Sequence, residues 1–175
     1  FHGRSSLGKT PFALECARAV SVGASEMMCG LEVRCPPTSV LYLEAETALR
    51  NILPRLHILP PPIGEWWYED FYTTGADILN SRHPCMPRLV DLSRKLSPEL
   101  VVWSSIRRFI SGDLNQANTA VSAYTAMIGL FPQAAHLVIA HDNKDPKDES
   151  KAGNPDDAFT GSAAWVQQAA VGLHM

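Results

Sequence analysis

The sequence predicts an α/β fold in which a mainly parallel central sheet is flanked by helices in three layers. Three observations predict it. Residues 3–10 read G-R-S-S-L-G-K-T, a pattern that joins a buried strand to a helix. Short apolar runs at 40–43 (VLYL), 100–103 (LVVW) and 137–140 (LVIA) have the length and composition of strands buried on both faces. Helix-like segments alternate with these runs, and such alternation requires crossover connections between parallel strands.

The loop at 3–10 carries the chemistry. Its glycines let the backbone N–H groups of Gly3, Arg4, Ser5, Ser6, Leu7 and Gly8 turn inward on phosphates. Lys9 reaches the outer phosphates, and the Thr10 hydroxyl takes one position on Mg²⁺. Pro11 suits a first helical turn, and Phe12, Ala13, Leu14, Ala17 and Val20 recur at helical spacing behind it. The alternative is an ordinary Gly/Ser turn before a helix; four fixed positions in the right order favour the nucleotide. Residues 30–38 form a loop or short edge strand. Residues 47–59 form a second helix, with Pro54 kinking it or resetting its start and the prolines at 60–62 ending it. Residues 66–72 are an aromatic-rich strand, with the Trp66-Trp67-Tyr68 cluster assigned to the core. Residues 84–96 are a helix, 116–131 a long helix, and 142–157 a polar loop. A short helix at 163–168 and a last strand at 169–173 complete the pattern.

The chain has 175 residues, 46% of them hydrophobic and 19% charged, enough for one well-cored domain over 1–175. Only Phe1 and His2 precede the phosphate loop, and the chain stops within an apolar run at 169–175. The expectation is a single domain truncated at both ends. A net charge of −3 gives no global attraction for nucleic acid. Arg107 and Arg108 are adjacent, and Lys144, Lys147 and Lys151 cluster, but loop charges of this kind are ordinarily solvated surface. In the loop 142–157 those lysines are balanced by acidic residues, which makes it a poor unaided phosphate binder. Cys16, Cys29, Cys35 and Cys85 form no C-x-x-C pair. Scattered cysteines fit a reducing compartment, and no signal peptide or membrane-length run is visible, so a cytoplasmic location without membrane attachment is expected.

Hydrolysis needs a positioned water and a carboxylate behind the metal. The strand at 40–43 runs into Glu44-Ala45-Glu46, and ligands of open parallel sheets sit beyond the carboxyl ends of the strands. Alternation puts both glutamates on one side. Glu46 is assigned the catalytic role and Glu44 the capping of the following helix. His141, at the end of a strand run, is a candidate sensor of the γ-phosphate or of DNA, or a structural histidine.

The order G-x-x-x-x-G-K-T, V-L-Y-L-x-A-E, V-V-x-x-x-I-R-R-F, L-V-I-A-H and T-G-S-A-A resembles the RecA-like P-loop ATPases of the AAA_25 type. That group includes plasmid replicative helicases and the ATPase parts of phage and mobile-element primase-helicases. The resemblance implies a RecA-like fold that binds ATP and Mg²⁺, forms a homo-oligomeric ring and acts on single-stranded DNA. It makes Gly3, Gly8, Lys9 and Thr10 the phosphate loop and Glu46 the residue that polarises the attacking water. Arg55-Leu56 matches a pair on the next helix, the loop Gly112-Asp113-Leu114-Asn115 an acidic turn, His141 a strand-end histidine, and Gly161-Ser162 a later step. Three positions depart from the pattern. Ser104 stands where the family has a Mg²⁺-supporting Asp, leaving a neutral hydroxyl in an outer position on the metal. Asp142 stands for a second histidine and Thr160 for a basic residue. The alternative to an active ATPase is therefore a nucleotide-binding module with weak or no hydrolysis, acting as switch or scaffold. A small-molecule P-loop kinase would share the loop but needs an acceptor site and basic lid, and neither is evident.

Overall fold

The computed structural model describes residues 8–23, 25–26, 30, 32–58, 64–74, 77–113 and 116–140. Residues 3–7, His141, the loop 142–157, Thr160, Gly161, Ser162 and the last helix and strand lie outside the described residues. The described part is an α/β unit built on a parallel four-stranded sheet. Element order is α1 (Lys9–Val22), β1 (Ser25–Glu26), β2 (Glu32–Val33), β3 (Val40–Glu44), α2 (Leu49–Ile58), β4 (Trp66–Asp70), α3 (Met86–Lys95), β5 (Leu100–Ser104), α4 (Ile106–Phe109), α5 (Ala117–Leu130) and β6 (Ala135–Val138). Strands β1 and β2 form a separate antiparallel pair. The main sheet runs β4-β3-β5-β6, so β3 and β5 are central and carry the most apolar sequences.

Every residue of β3 and β5 is buried, as expected of parallel strands covered on both faces. Alternation divides their side chains between two cores. Val40 and Tyr42 of β3 and Leu100 and Val102 of β5 pack with Ala13, Leu14 and Ala17 of α1 and Ile52 of α2. Leu41, Leu43, Val101 and Trp103 pack on the other face with Leu89 of α3, with α4, and with Ala120, Ala123 and Met127 of α5. Helices thus cover both faces, in agreement with the expected three layers. Trp66 and Tyr68 of β4 join the first core and Trp67 the second, so the aromatic cluster is packing material.

The direction of α1 is fixed by its far end. The Gly64 N–H, just before β4, donates to Ser21 O at 2.8 Å. A Cβ on Gly64 would lie 2.7 Å from Thr38 O and 2.8 Å from Ser21 O, so only glycine lets these backbones meet. The carboxyl end of α1 therefore sits at the amino ends of β3 and β4, and its amino end lies over the carboxyl ends of the strands.

Several boundaries differ from expectation. The last described strand is Ala135–Val138 rather than 137–140, because the Ala135 N–H donates to Glu99 O at 2.8 Å and pairing begins there. Helix α2 keeps Pro54 inside it. Strand β2 falls within 30–38, expected as a loop or short edge strand, whereas the short helix α4 and strand β1 were not foreseen. Both are too short to carry a periodic signal. Among the described residues no helix is long and apolar enough to cross a membrane.

Trp103 organises the second core. Its ring meets Phe109 edge-on at 5.2 Å and Phe131 at 6.1 Å, and its indole N–H donates to His136 Nδ1 at 3.0 Å. Trp103→Ala should cost about 3–5 kcal/mol through the cavity it opens. Urea unfolding checks this, and a loss under about 1 kcal/mol would show that the site collapses around the smaller side chain.

Candidate functional site

Gly8 precedes α1 with φ at 81°, a left-handed conformation that other residues adopt only at a cost. Lys9 opens the helix and is only 4% exposed. Thr10 is half-buried and Pro11 exposed. The first-turn N–H of Phe12 donates to Gly8 O at 2.9 Å. The amino end of α1 lies at the carboxyl edge of the sheet, where the helix dipole favours an anion.

That edge ends in Glu44 on β3 and Ser104 on β5, which are register partners. By alternation with Tyr42 and Val102, both lie on the face that α1 covers. Glu44 is fully buried. Its Oε1 accepts the N–H of Glu46 at 2.7 Å and of Thr47 at 2.9 Å, and its Oε2 accepts the Ser104 hydroxyl at 3.1 Å. Burial pushes the Glu44 carboxyl up to about 7, against the opposing pull of the Thr47 and Glu46 N–H groups and of Ser104. Beneath it, the Tyr42 and Tyr68 rings stack at 5.7 Å. Among the described residues the Tyr68 and Ser105 hydroxyls are buried without a hydrogen-bond partner, and the Tyr42 hydroxyl lies beside Ser104. Burial and the nearby Glu44 raise both phenols above their usual range. The Ser104–Ser105 peptide is cis.

Sequence reasoning placed Glu44 and Glu46 on one side by extending the strand through both. Strand β3 stops at Glu44, and alternation stops with it. Glu46 lies in the following turn and is exposed, while Glu44 is the buried acid. Glu44 does tie down the turn toward α2, in line with the capping role assigned to it. The signal for its burial was available: Val40, Tyr42 and Glu44 share one parity in a strand whose every member is apolar up to its end.

The other candidates are distributed as follows. On α2, Arg55 is exposed and Leu56 packs into the first core. Arg107 is exposed, whereas Arg108 donates from Nε to Ala45 O at 3.2 Å and from Nη2 to Tyr72 O at 3.4 Å. Arg108 therefore holds the turn after β3 in place. Gly112 and Asp113 are exposed. Among the described residues no three His, Cys, Asp or Glu side chains gather as a metal-binding group. A magnesium ion held chiefly by phosphates and water needs fewer protein ligands than that. No protein-family model and no curated protein sequence matches the chain.

The Glu44 carboxyl sets a pH dependence. Its folded pKa lies above the ordinary value of 4.5, so between about 4.5 and 7 the folded state holds a proton that the unfolded state releases. Stability contributed by this group is complete below that window and declines as pH rises through it, by about 3 kcal/mol in all. Glu46, Tyr42, Tyr68, Asp70 and Arg55 are the other titratable groups coupled to this pocket. Glu44→Gln should match the wild type at pH 4.5 and exceed it at pH 8. Urea melts at the two pH values measure this, and an equal difference at both would refute the raised pKa.

Proposed function

We propose that the chain is a RecA-like P-loop domain that binds ATP with Mg²⁺ and hydrolyses it. The observation that carries this reading is the placement of Gly8, Lys9 and Thr10. The G-K-T end of the loop opens α1 at the carboxyl edge of a parallel sheet, on the face that also carries Glu44 and Ser104. Anionic ligands of open α/β sheets bind at this edge. The residues fit a magnesium nucleotide: a helix amino end and a lysine for phosphate, a threonine hydroxyl for the ion, and an edge rich in oxygen with buried hydroxyls not yet paired. When bound, Mg²⁺ offsets charge developing on the transferred phosphoryl group. Lys9 holds the outer phosphates, and Glu46, exposed beyond β3, orients water.

The coupling of turnover to replication or helicase-type work on single-stranded DNA, in a homo-oligomeric ring, rests on the sequence resemblance. A second reading, a nucleotide-binding module with slow turnover, draws on Ser104: a neutral hydroxyl ends β5, and it is already committed to Glu44.

Lys9→Ala tests the first reading. A charge-assisted phosphate contact is worth about 1.5–3 kcal/mol, so ATP affinity should fall by at least about tenfold in a folded variant. Equilibrium binding beside a thermal melt is the measurement. Unchanged affinity in a folded variant would refute the nucleotide site. Glu46→Gln, in turn, should keep ATP affinity and slow phosphate release.

A further inference from the structure

We propose that Glu44 is the carboxylate that steadies the magnesium ion at this site, supplied from β3 because β5 ends in a serine. The inference rests on the nucleotide reading above and concerns how the metal is held. A P-loop magnesium is ligated by the loop hydroxyl and supported by a strand-end acid. The ion keeps several waters, and outer carboxylates accept hydrogen bonds from them. Ser104 ends the strand where such an acid is needed and carries no charge. Glu44 is its register partner on the adjacent central strand, on the same face, with Oε2 one hydrogen bond of 3.1 Å from the Ser104 hydroxyl. A carboxyl oxygen therefore lies immediately beside the side chain of position 104.

Among the described residues, the other acids near this edge fit less well. Asp70 ends β4, one strand further out, and its Oδ1 accepts the Tyr72 N–H at 2.8 Å. Helix α1 packs over β3 and β5, the two strands that end in Glu44 and Ser104. Glu46 is exposed beyond the strand.

Counting acceptors strengthens the assignment. Glu44 Oε1 takes two backbone N–H groups, while among the described residues Oε2 takes only the Ser104 hydroxyl. A carboxylate oxygen has two acceptor positions, so Oε2 keeps one for a metal-bound water. The Tyr42 hydroxyl is buried beside Glu44 and Ser104 and enlarges the polar group at this strand end. The competing role, a tie for the turn at 45–47, uses Oε1 alone, and an amide keeps that oxygen.

The test follows a fluorescent ATP analogue binding across a Mg²⁺ titration, starting in EDTA, with thermal melts alongside. It compares wild type, Glu44→Gln, Glu46→Gln and the double variant Glu44→Gln/Ser104→Asp. Loss of an outer carboxylate typically weakens metal binding by about ten- to a hundredfold. Glu44→Gln should raise the half-maximal Mg²⁺ by at least about tenfold, with EDTA affinity unchanged. Glu46→Gln should leave it in place, and the double variant should restore it by returning the charge to β5. A wild-type Mg²⁺ midpoint in folded Glu44→Gln, with nucleotide still bound, overturns the inference and leaves the nucleotide reading standing. So does a folded double variant that fails to recover. Absence of nucleotide binding in the wild type itself overturns both.

Discussion

A carboxyl group buried at the end of a central strand costs several kcal/mol unless hydrogen bonds replace the water it has lost. Glu44 meets that demand with two backbone N–H groups and one hydroxyl, and the surrounding structure is arranged to supply them. The turn at 45–47 must fold back on the strand end to present its N–H groups. Arg108 fixes that turn from α4 through Ala45 O. Ser104 must face α1, which sets the parity of all of β5 and sends Trp103 into the opposite core. One buried acid thus ties together the register of β3 and β5, the direction taken by the chain after β3, and the placement of α4.

The same constraint links packing to chemistry. The two cores are rigid because β3 and β5 have no exposed residue, and rigidity at strand ends is what keeps a polar edge in fixed geometry. Helix α1 lies over one core with its carboxyl end pinned by Gly64, and this leaves its amino end above the polar edge. Residues far from the edge, such as Gly64, therefore position Lys9 and Thr10. Alignment of the helix dipole, a lysine and a carboxyl with its acceptor site half used makes this edge suited to an anion with a divalent cation.

Much of this was legible in the sequence. The runs at 40–43 and 100–103 are apolar throughout, as strands covered on both faces are, and their alternation with helical segments made both strands and the layering readable. The loop ending in Gly8-Lys9-Thr10 announced its helix. Boundaries were less readable where pairing decides them. Strand β6 begins at Ala135 because Glu99 offers a carbonyl there, and no local signal reports a partner so distant in sequence. The expectation that both glutamates share one side failed for a related reason. Glu44 and Glu46 are equivalent in composition, and only the end of β3 separates the buried acid from the exposed one. Ser104 stood out as a serine at a strand end, yet its bond to Glu44 spans two strands and could not be read from spacing.

The most direct measurement is a crystal structure of the protein with Mn²⁺ and a non-hydrolysable ATP analogue, with the metal located by its anomalous scattering. The account predicts the triphosphate against the first turn of α1. The metal should lie on the α1 face, with the Thr10 hydroxyl as ligand and a bound water donating to Glu44 Oε2. A nucleotide bound away from Lys9, or a metal whose waters make no contact with Glu44, would contradict it.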